Sequence, residues 1–333
     1  MRADHSNNFD ALRLLGALLV VFSHQFAVIG LWEPRVLGDH SFGNLGVLIF
    51  FSISGYLVSS SWVADPNLWR FFARRFLRLW PGLAIVVCLC ATGAYMFAID
   101  ETGRHMAVRY LSMLWLRLSD GPFFPNSPQK VLNGPLWTIP LEFGCYVVLA
   151  AVAALFGRVV LPMAAIGVAL LIAYVATGAD LMRWVGRGGQ FFFLAYFGAF
   201  FVAGSLLRFL PRRQLPRMLL WSLPLAMLAA INDQPTTALL CVVPLLAITI
   251  GVRSWPLVRD AAGAGDLSYG MYLYAWPVQQ LGVLWLGRES SWWQLLALTL
   301  LSTVALAFAS WHIIEKHALR LKPMRRRSMD PVL

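Results

Sequence analysis

Ten stretches of this chain are apolar for about as long as a helix needs to cross a bilayer. They cover residues 11–31, 44–64, 80–99, 138–156, 159–177, 190–207, 218–231, 237–252, 268–286 and 292–313. A hydrocarbon core about 30 Å thick is spanned by roughly 20 helical residues. Lipid offers no partner to a backbone N–H or C=O, so only helices or a closed barrel can cross it. The chain is 59% hydrophobic and 13% charged, against about 25% charged in a soluble domain. The expectation is an all-α, polytopic transmembrane helix bundle of about ten spans, forming one domain over 1–333. The seventh and eighth stretches are short for a full crossing and meet at the turn Asn232-Asp233-Gln234-Pro235.

Net charge is +11. In a soluble protein that would point to nucleic acid; here the basic residues alternate between loops, and no nucleic-acid partner is expected. With both termini inside, eighteen Lys and Arg fall in inner segments and eight in outer ones. Cytoplasmic segments of membrane proteins carry this excess, so both termini are predicted to be cytoplasmic. The four cysteines, Cys88, Cys90, Cys145 and Cys241, lie in apolar runs without zinc spacing or a disulfide framework. No metal is expected. The first run carries Arg13 and reads as an uncleaved span. A long outer loop, about 100–137, holds an amphipathic stretch, Met106 to Leu118, suited to a membrane surface. No internal repeat of the transporter type is visible.

Several spans carry groups that lipid disfavours. Arg13 and His24 are eleven residues apart on the first span; at about 100° per residue they share a face, roughly 16 Å apart in height, with Asp10 near the same stripe. An intramembrane ionisable group marks a functional site by default, although His24 could also be packed against a neighbouring helix. Phe50-Phe51-Ser52-Ile53-Ser54-Gly55 opens the second span; its small residues serve helix packing or leave room for a ligand at Ser54. Arg75 and Arg78, three apart in the loop before the third span, point the same way on a helical turn. They either anchor to anionic lipid or clamp a phosphorylated donor. In the fourth span Trp137 precedes Glu142, a carboxylate for an ion pair or for orienting a histidine. The ninth span is rich in polar-tipped aromatics, Tyr272 among them, and carries Gln280 deeper; these serve substrate or act as inter-helix glue.

Taken in order, these residues resemble the acyltransferase-3 family of integral membrane acyltransferases, which decorate bacterial surface polysaccharides and exopolysaccharides. Arg13 with His24, Phe50-Phe51 through Ser54-Gly55, Arg75 with Arg78, Leu136-Trp137 through Glu142, Ser268-Tyr269-Gly270 and Glu315-Lys316 carry the resemblance. Where some relatives have a His before Trp-Pro in the ninth span, this chain has Ala275. A fused extracytoplasmic domain, found in some members, is not expected here.

The resemblance implies a bacterial inner-membrane enzyme. It would take acetyl-CoA or another acyl-CoA from the cytoplasm and acylate a hydroxyl of a glycan or lipid-linked saccharide. His24, Glu142 and Arg13 are the candidate catalytic residues, with His24 as general base or acyl carrier and Glu142 orienting it or binding acceptor. Arg75, Arg78, Arg13 and Ser54 are the candidate donor-binding residues. Asp10, Trp137, Tyr272 and Gln280 are the candidate substrate-binding residues. The rival class is a transporter or flippase for an anionic or sugar substrate.

Overall fold

A computed structural model describes residues 7–98, 100–117, 123, 128–177, 190–256, 265–287 and 289–323. Part of the predicted outer loop and the arginines counted at 2, 183, 187, 259, 288 and 325–327 lie outside the described residues. Each of the ten predicted apolar segments falls on a helix. These are α1 (Phe9–Ile29), α2 (Phe42–Ala64), α3 (Leu68–Phe97), α5 (Thr138–Phe156), α6 (Val160–Thr177), α7 (Gln190–Leu207), α8 (Leu215–Ile231), α9 (Pro235–Gly251), α10 (Leu267–Leu286) and α11 (Trp292–Ser310). A short α4 (Glu101–Tyr110) lies between α3 and α5, and a π-helical turn (Trp311–Glu315) joins α11 to α12 (Lys316–Arg320). Among the described residues, six helical stretches are long and apolar enough to cross a membrane: Phe9–Ile29, Phe42–Ala64, Leu68–Phe97, Gly134–Phe156, Arg212–Ile231 and Trp292–Arg320.

Local sequence explains the ends. α1 stops at Gly30, whose φ of 81° places it in the left-handed region. There Gly30 N–H reaches Ala27 O and Leu31 N–H reaches Phe26 O, so the last carbonyls of the helix are satisfied. A departure from the all-helical expectation follows: a small antiparallel hairpin, β1 (Arg35–Leu37) with β2 (His40–Ser41). Ser41 then caps α2, its hydroxyl accepting from Asn44 N–H.

α3 corrects a predicted boundary. It begins at Leu68, capped by Asn67, twelve residues before the predicted span. The basic run Arg70 to Arg78 is therefore the first part of a helix and not a loop. Two things let it be helical: Phe71 is fully buried, and Asp65 neutralises Arg70 and Arg74.

Small residues set the helix spacing. A Cβ on Gly55 would lie 2.0 Å from Phe201 O, and one on Gly204 2.0 Å from Ser52 O, so α2 and α7 touch backbone to backbone. The packing reading of Gly55 holds. A Cβ on Gly46 would lie 2.4 Å from Gly16 O, bringing α1 against α2 in the same way. Asn8 clips the start of α1 to the end of α9: its N–H donates to Gly251 O at 3.0 Å and its Nδ2 to Ile250 O at 3.1 Å.

Gly204→Ala is expected to destabilise by about 1–3 kcal/mol, the usual cost of overpacking, because backbone cannot yield as a side chain can. Gly93→Ala, with nothing within 4 Å of the new methyl, is the control. Thermal unfolding in detergent checks the pair, and equal midpoints would contradict the close approach.

Candidate active site

One end of the bundle gathers cations from three elements. Asp65, between α2 and α3, holds Arg70 with two bonds of 2.6 and 2.8 Å and also pairs with Arg74. The fork of Arg70 is the main reason that the Asp65 carboxyl is held at about 2. Asp266, just before α10, accepts from Arg78 Nη2 at 2.5 Å and lies 3.7 Å from Arg13 Nη1. Burial pushes the Asp266 carboxyl up, but Arg78 and Arg13 outweigh it and bring it to about 2. Arg13 also lies 3.5 Å from Asp10, so Asp10 sits in the cation cluster as a counter-ion.

Arg75 differs from its neighbours. Its Nη2 donates to Ser61 Oγ at 3.2 Å, and its guanidinium lies over the rings of Phe71 and Tyr146 at 5.8 and 5.9 Å. Its Nε is buried with no hydrogen-bond partner. Among the described residues no carboxylate is within ion-pair distance of it, so it keeps an uncommitted charge and an uncommitted donor.

Lys322, after α12, faces the same cluster. Burial, then Arg78, Arg75, Arg13 and Arg74, lower its ammonium to about 8.

Deeper in the bundle, Glu142 accepts from Ser54 Oγ at 2.7 Å and from the Tyr146 hydroxyl at 2.5 Å. Ser54 thus belongs to the polar interior, linked to Arg75 through Tyr146. The structure brings Glu142 to Ser54 and Tyr146 and does not hydrogen-bond it to His24 Nδ1, which is buried without a partner. The His24 ring stands edge-on to Trp276 of α10, centroids 4.9 Å apart, and the residue is half-buried.

Residues 129–138, between α4 and α5, are stitched to α10. Asn133 Nδ2 donates to Leu273 O at 2.9 Å, Trp276 Nε1 to Val131 O at 3.3 Å, and Gln280 Nε2 to Gln129 O at 2.8 Å. The Tyr272 hydroxyl donates to Pro135 O at 2.8 Å and lies 2.6 Å from Thr138 Oγ1. Tyr272 and Gln280, expected at the substrate, spend these polar atoms on holding the segment. Trp137 packs on Phe193 and Phe197 of α7, at 4.7 and 5.7 Å. Its place is an aromatic contact between helices. Among the described residues no group of three or more His, Cys, Asp or Glu could hold a metal.

Residues 6–312 match the acyltransferase-3 family, described as an acyltransferase domain. This chain belongs to that family. It is similar to an O-acetyl transferase of Shigella phage Sf6, 31% identical over 338 residues, covering 94% of this chain and 96% of that one. It is also similar to nodulation protein 10 of Rhizobium leguminosarum bv. viciae, 27% identical over 358 residues, covering 96% and 94%. No solved structure matches the chain. The protein is an enzyme that transfers acyl groups, and the transporter alternative falls.

Four site residues escaped sequence reasoning. Tyr146 stands one turn after Glu142 and was within reach of helical spacing. Asp266, Ser61 and Lys322 carried no signal, since their neighbours come from distant helices.

Asp65 and Asp266 give a pH prediction. Both titrate at about 2 in the folded chain, below the ordinary value near 3.9. Their contribution to stability is fully present above about pH 4 and is lost as pH falls from there towards 2. Asp266→Asn should destabilise at pH 7 by about 3–5 kcal/mol, the cost of breaking a buried ion pair from one side, and should flatten the acid limb of the stability profile. An unchanged acid limb would show that Asp266 is not held by the arginines.

Proposed function

We propose that this enzyme moves a short acyl group, acetyl first, from acyl-CoA to a hydroxyl of a cell-surface or exported glycan. The donor enters at the cation cluster and the acceptor meets it at His24. The observation that carries the reading is the uncommitted guanidinium of Arg75. Its neighbours are neutralised by Asp65 and Asp266, while Arg75 keeps charge and an N–H for a ligand. Guanidinium forks match phosphate geometry, and coenzyme A presents several phosphates. Arg75, Arg78 and Lys322 would hold them, and Arg13 would steer the donor into place. Ser54, Tyr146 and Glu142 form one hydrogen-bonded group against the Arg75 guanidinium and would position it; Glu142 is also the group offered to an acceptor hydroxyl.

The chemistry asked of His24 is modest. An alcohol is a poor nucleophile at neutral pH, and a neutral imidazole is the side chain suited to take its proton. The acceptor oxygen bonds to the thioester carbonyl carbon as His24 takes the proton. The C–S bond then breaks, and the thiolate recovers that proton as free coenzyme A. In the covalent version His24 itself attacks and carries the acyl group to the acceptor; a burst of free thiol without acceptor distinguishes it. The basic end of the bundle is then cytoplasmic, as are the termini, and the membrane is the bacterial inner membrane.

His24→Ala should lower acyl transfer by at least about 10²-fold, the scale of a lost general base. Mass analysis of surface glycans should then lack the added acetyl, and an unchanged glycan would reject both versions. Coenzyme A at about 100 times its Kd should raise stability by about 2.7 kcal/mol, and Arg75→Ala/Arg78→Ala should abolish that rise. Because Lys322 is charged below about 8, coenzyme A affinity should fall as pH rises through that value. In Lys322→Ala this step should vanish, and a wild-type profile in that variant would remove Lys322 from the donor site.

A further inference from the structure

A cavity with two arginines in its wall lies against α2, and none of the cation-cluster residues lines it. Its volume is about 320 Å³, and its walls are Asn7, Phe9, Tyr56, Leu57, Ser60, Arg208, Arg212 and Val252. None of these eight is acidic. Among the described residues neither Arg208 nor Arg212 has an ion-pair or side-chain hydrogen-bond partner, in contrast to Arg13, Arg70, Arg74 and Arg78, each held by a carboxylate. The Tyr56 hydroxyl is likewise without a partner there, and Ser60 donates to Tyr56 O at 2.8 Å, leaving its oxygen turned to accept.

The walls are built firmly. The backbone contact of Gly204 with Ser52 locks α7 on α2, and Arg208 follows Gly204 by one turn, beside Tyr56 and Ser60. Phe9 is pinned over Gly251, where a Cβ would lie 2.2 Å from its ring, and this closes the opposite wall at Val252. Arg212 begins Arg212–Ile231, the least buried of the six long apolar stretches. Leu220, Trp221, Leu225, Met227 and Ile231 of that stretch are exposed, so Arg212 opens a helix whose apolar face is free to meet lipid.

We propose that this cavity is a binding site for the phosphate of an anionic phospholipid headgroup. Two guanidiniums and a phenol supply donors for phosphate oxygens, and Phe9, Leu57 and Val252 supply an apolar floor. The volume lies at the lower end of the roughly 300–1,000 Å³ typical of small-molecule sites. It admits a headgroup and excludes a whole coenzyme A. The lining shares no residue with the donor cluster: Ser61 of α2 binds Arg75, while Ser60, its neighbour in sequence, lines this cavity.

The test titrates the full chain in neutral detergent with phosphatidylglycerol, phosphatidylcholine or glycerol 3-phosphate, reading thermal unfolding and bound lipid by native mass spectrometry. Phosphatidylglycerol should stabilise the wild type and bind as one tightly held molecule, and phosphatidylcholine should not. Arg208→Gln/Arg212→Gln should weaken that binding at least tenfold and keep the stabilisation by coenzyme A. Donor binding thus reports on Arg75 and lipid binding on this cavity, so the two readings fail separately. If the double variant does not fold, Arg212→Gln alone, at an exposed position, should weaken lipid binding several-fold. Wild-type affinity for phosphatidylglycerol in these variants would overturn the proposal. Equal stabilisation by glycerol 3-phosphate would also overturn it, making the occupant a soluble phosphate.

Discussion

Asp266 is one carboxylate shared by two guanidiniums, and the basic end of the bundle depends on it. Arg13 comes from α1, Arg78 from α3, and Asp266 stands at the head of α10. Taking a lone charge out of water costs several kcal/mol even after relaxation, so each of the three needs the others. Their pairing also releases Arg75. With Arg70 and Arg74 bound to Asp65 and Arg78 to Asp266, the remaining guanidinium is left pointing over Tyr146 with an unfilled donor. Structural ion pairs thereby sort a run of similar arginines into three that a carboxylate holds and one, Arg75, that none does.

The close approach of helices does the complementary work. In a bilayer, helix association gains little from the hydrophobic effect and relies on tight packing and hydrogen bonds. The Gly55–Phe201 and Gly204–Ser52 contacts set α2 against α7, and this leaves Ser54 facing Glu142. α10 plays the corresponding part at the other end. Its polar atoms hold residues 129–138, so that Trp276 rests against both Val131 and His24. The buried Nδ1 of His24 is left without a hydrogen-bond partner beside this stitched segment.

Much of this was legible in the residues. Apolar length located ten of the twelve α-helices among the described residues, and the eleven-residue spacing of Arg13 and His24 placed both on the helix that carries them. The spacing of Arg75 and Arg78 was right, although their helix begins earlier than hydropathy alone marked, because Asp65 masks the charge that made the run look like a loop. Tyr272, Gln280 and Trp137 were legible as polar or aromatic groups at useful depth, and the partners they meet in the fold were not. A tyrosine hydroxyl that meets a substrate and one that meets Pro135 O are the same residue in the same pattern.

Hydropathy, charge placement and local spacing, read from the chain alone, determined an all-helical bundle and an acyltransferase-3 motif order, because these depend on each segment's own chemistry. Which arginine is free, that Glu142 joins Ser54 and Tyr146, that Lys322 returns to the cation cluster and that Arg208 and Arg212 frame a second cavity were decided only by tertiary structure. Each depends on partners that lie far away in sequence and meet only when the helices pack.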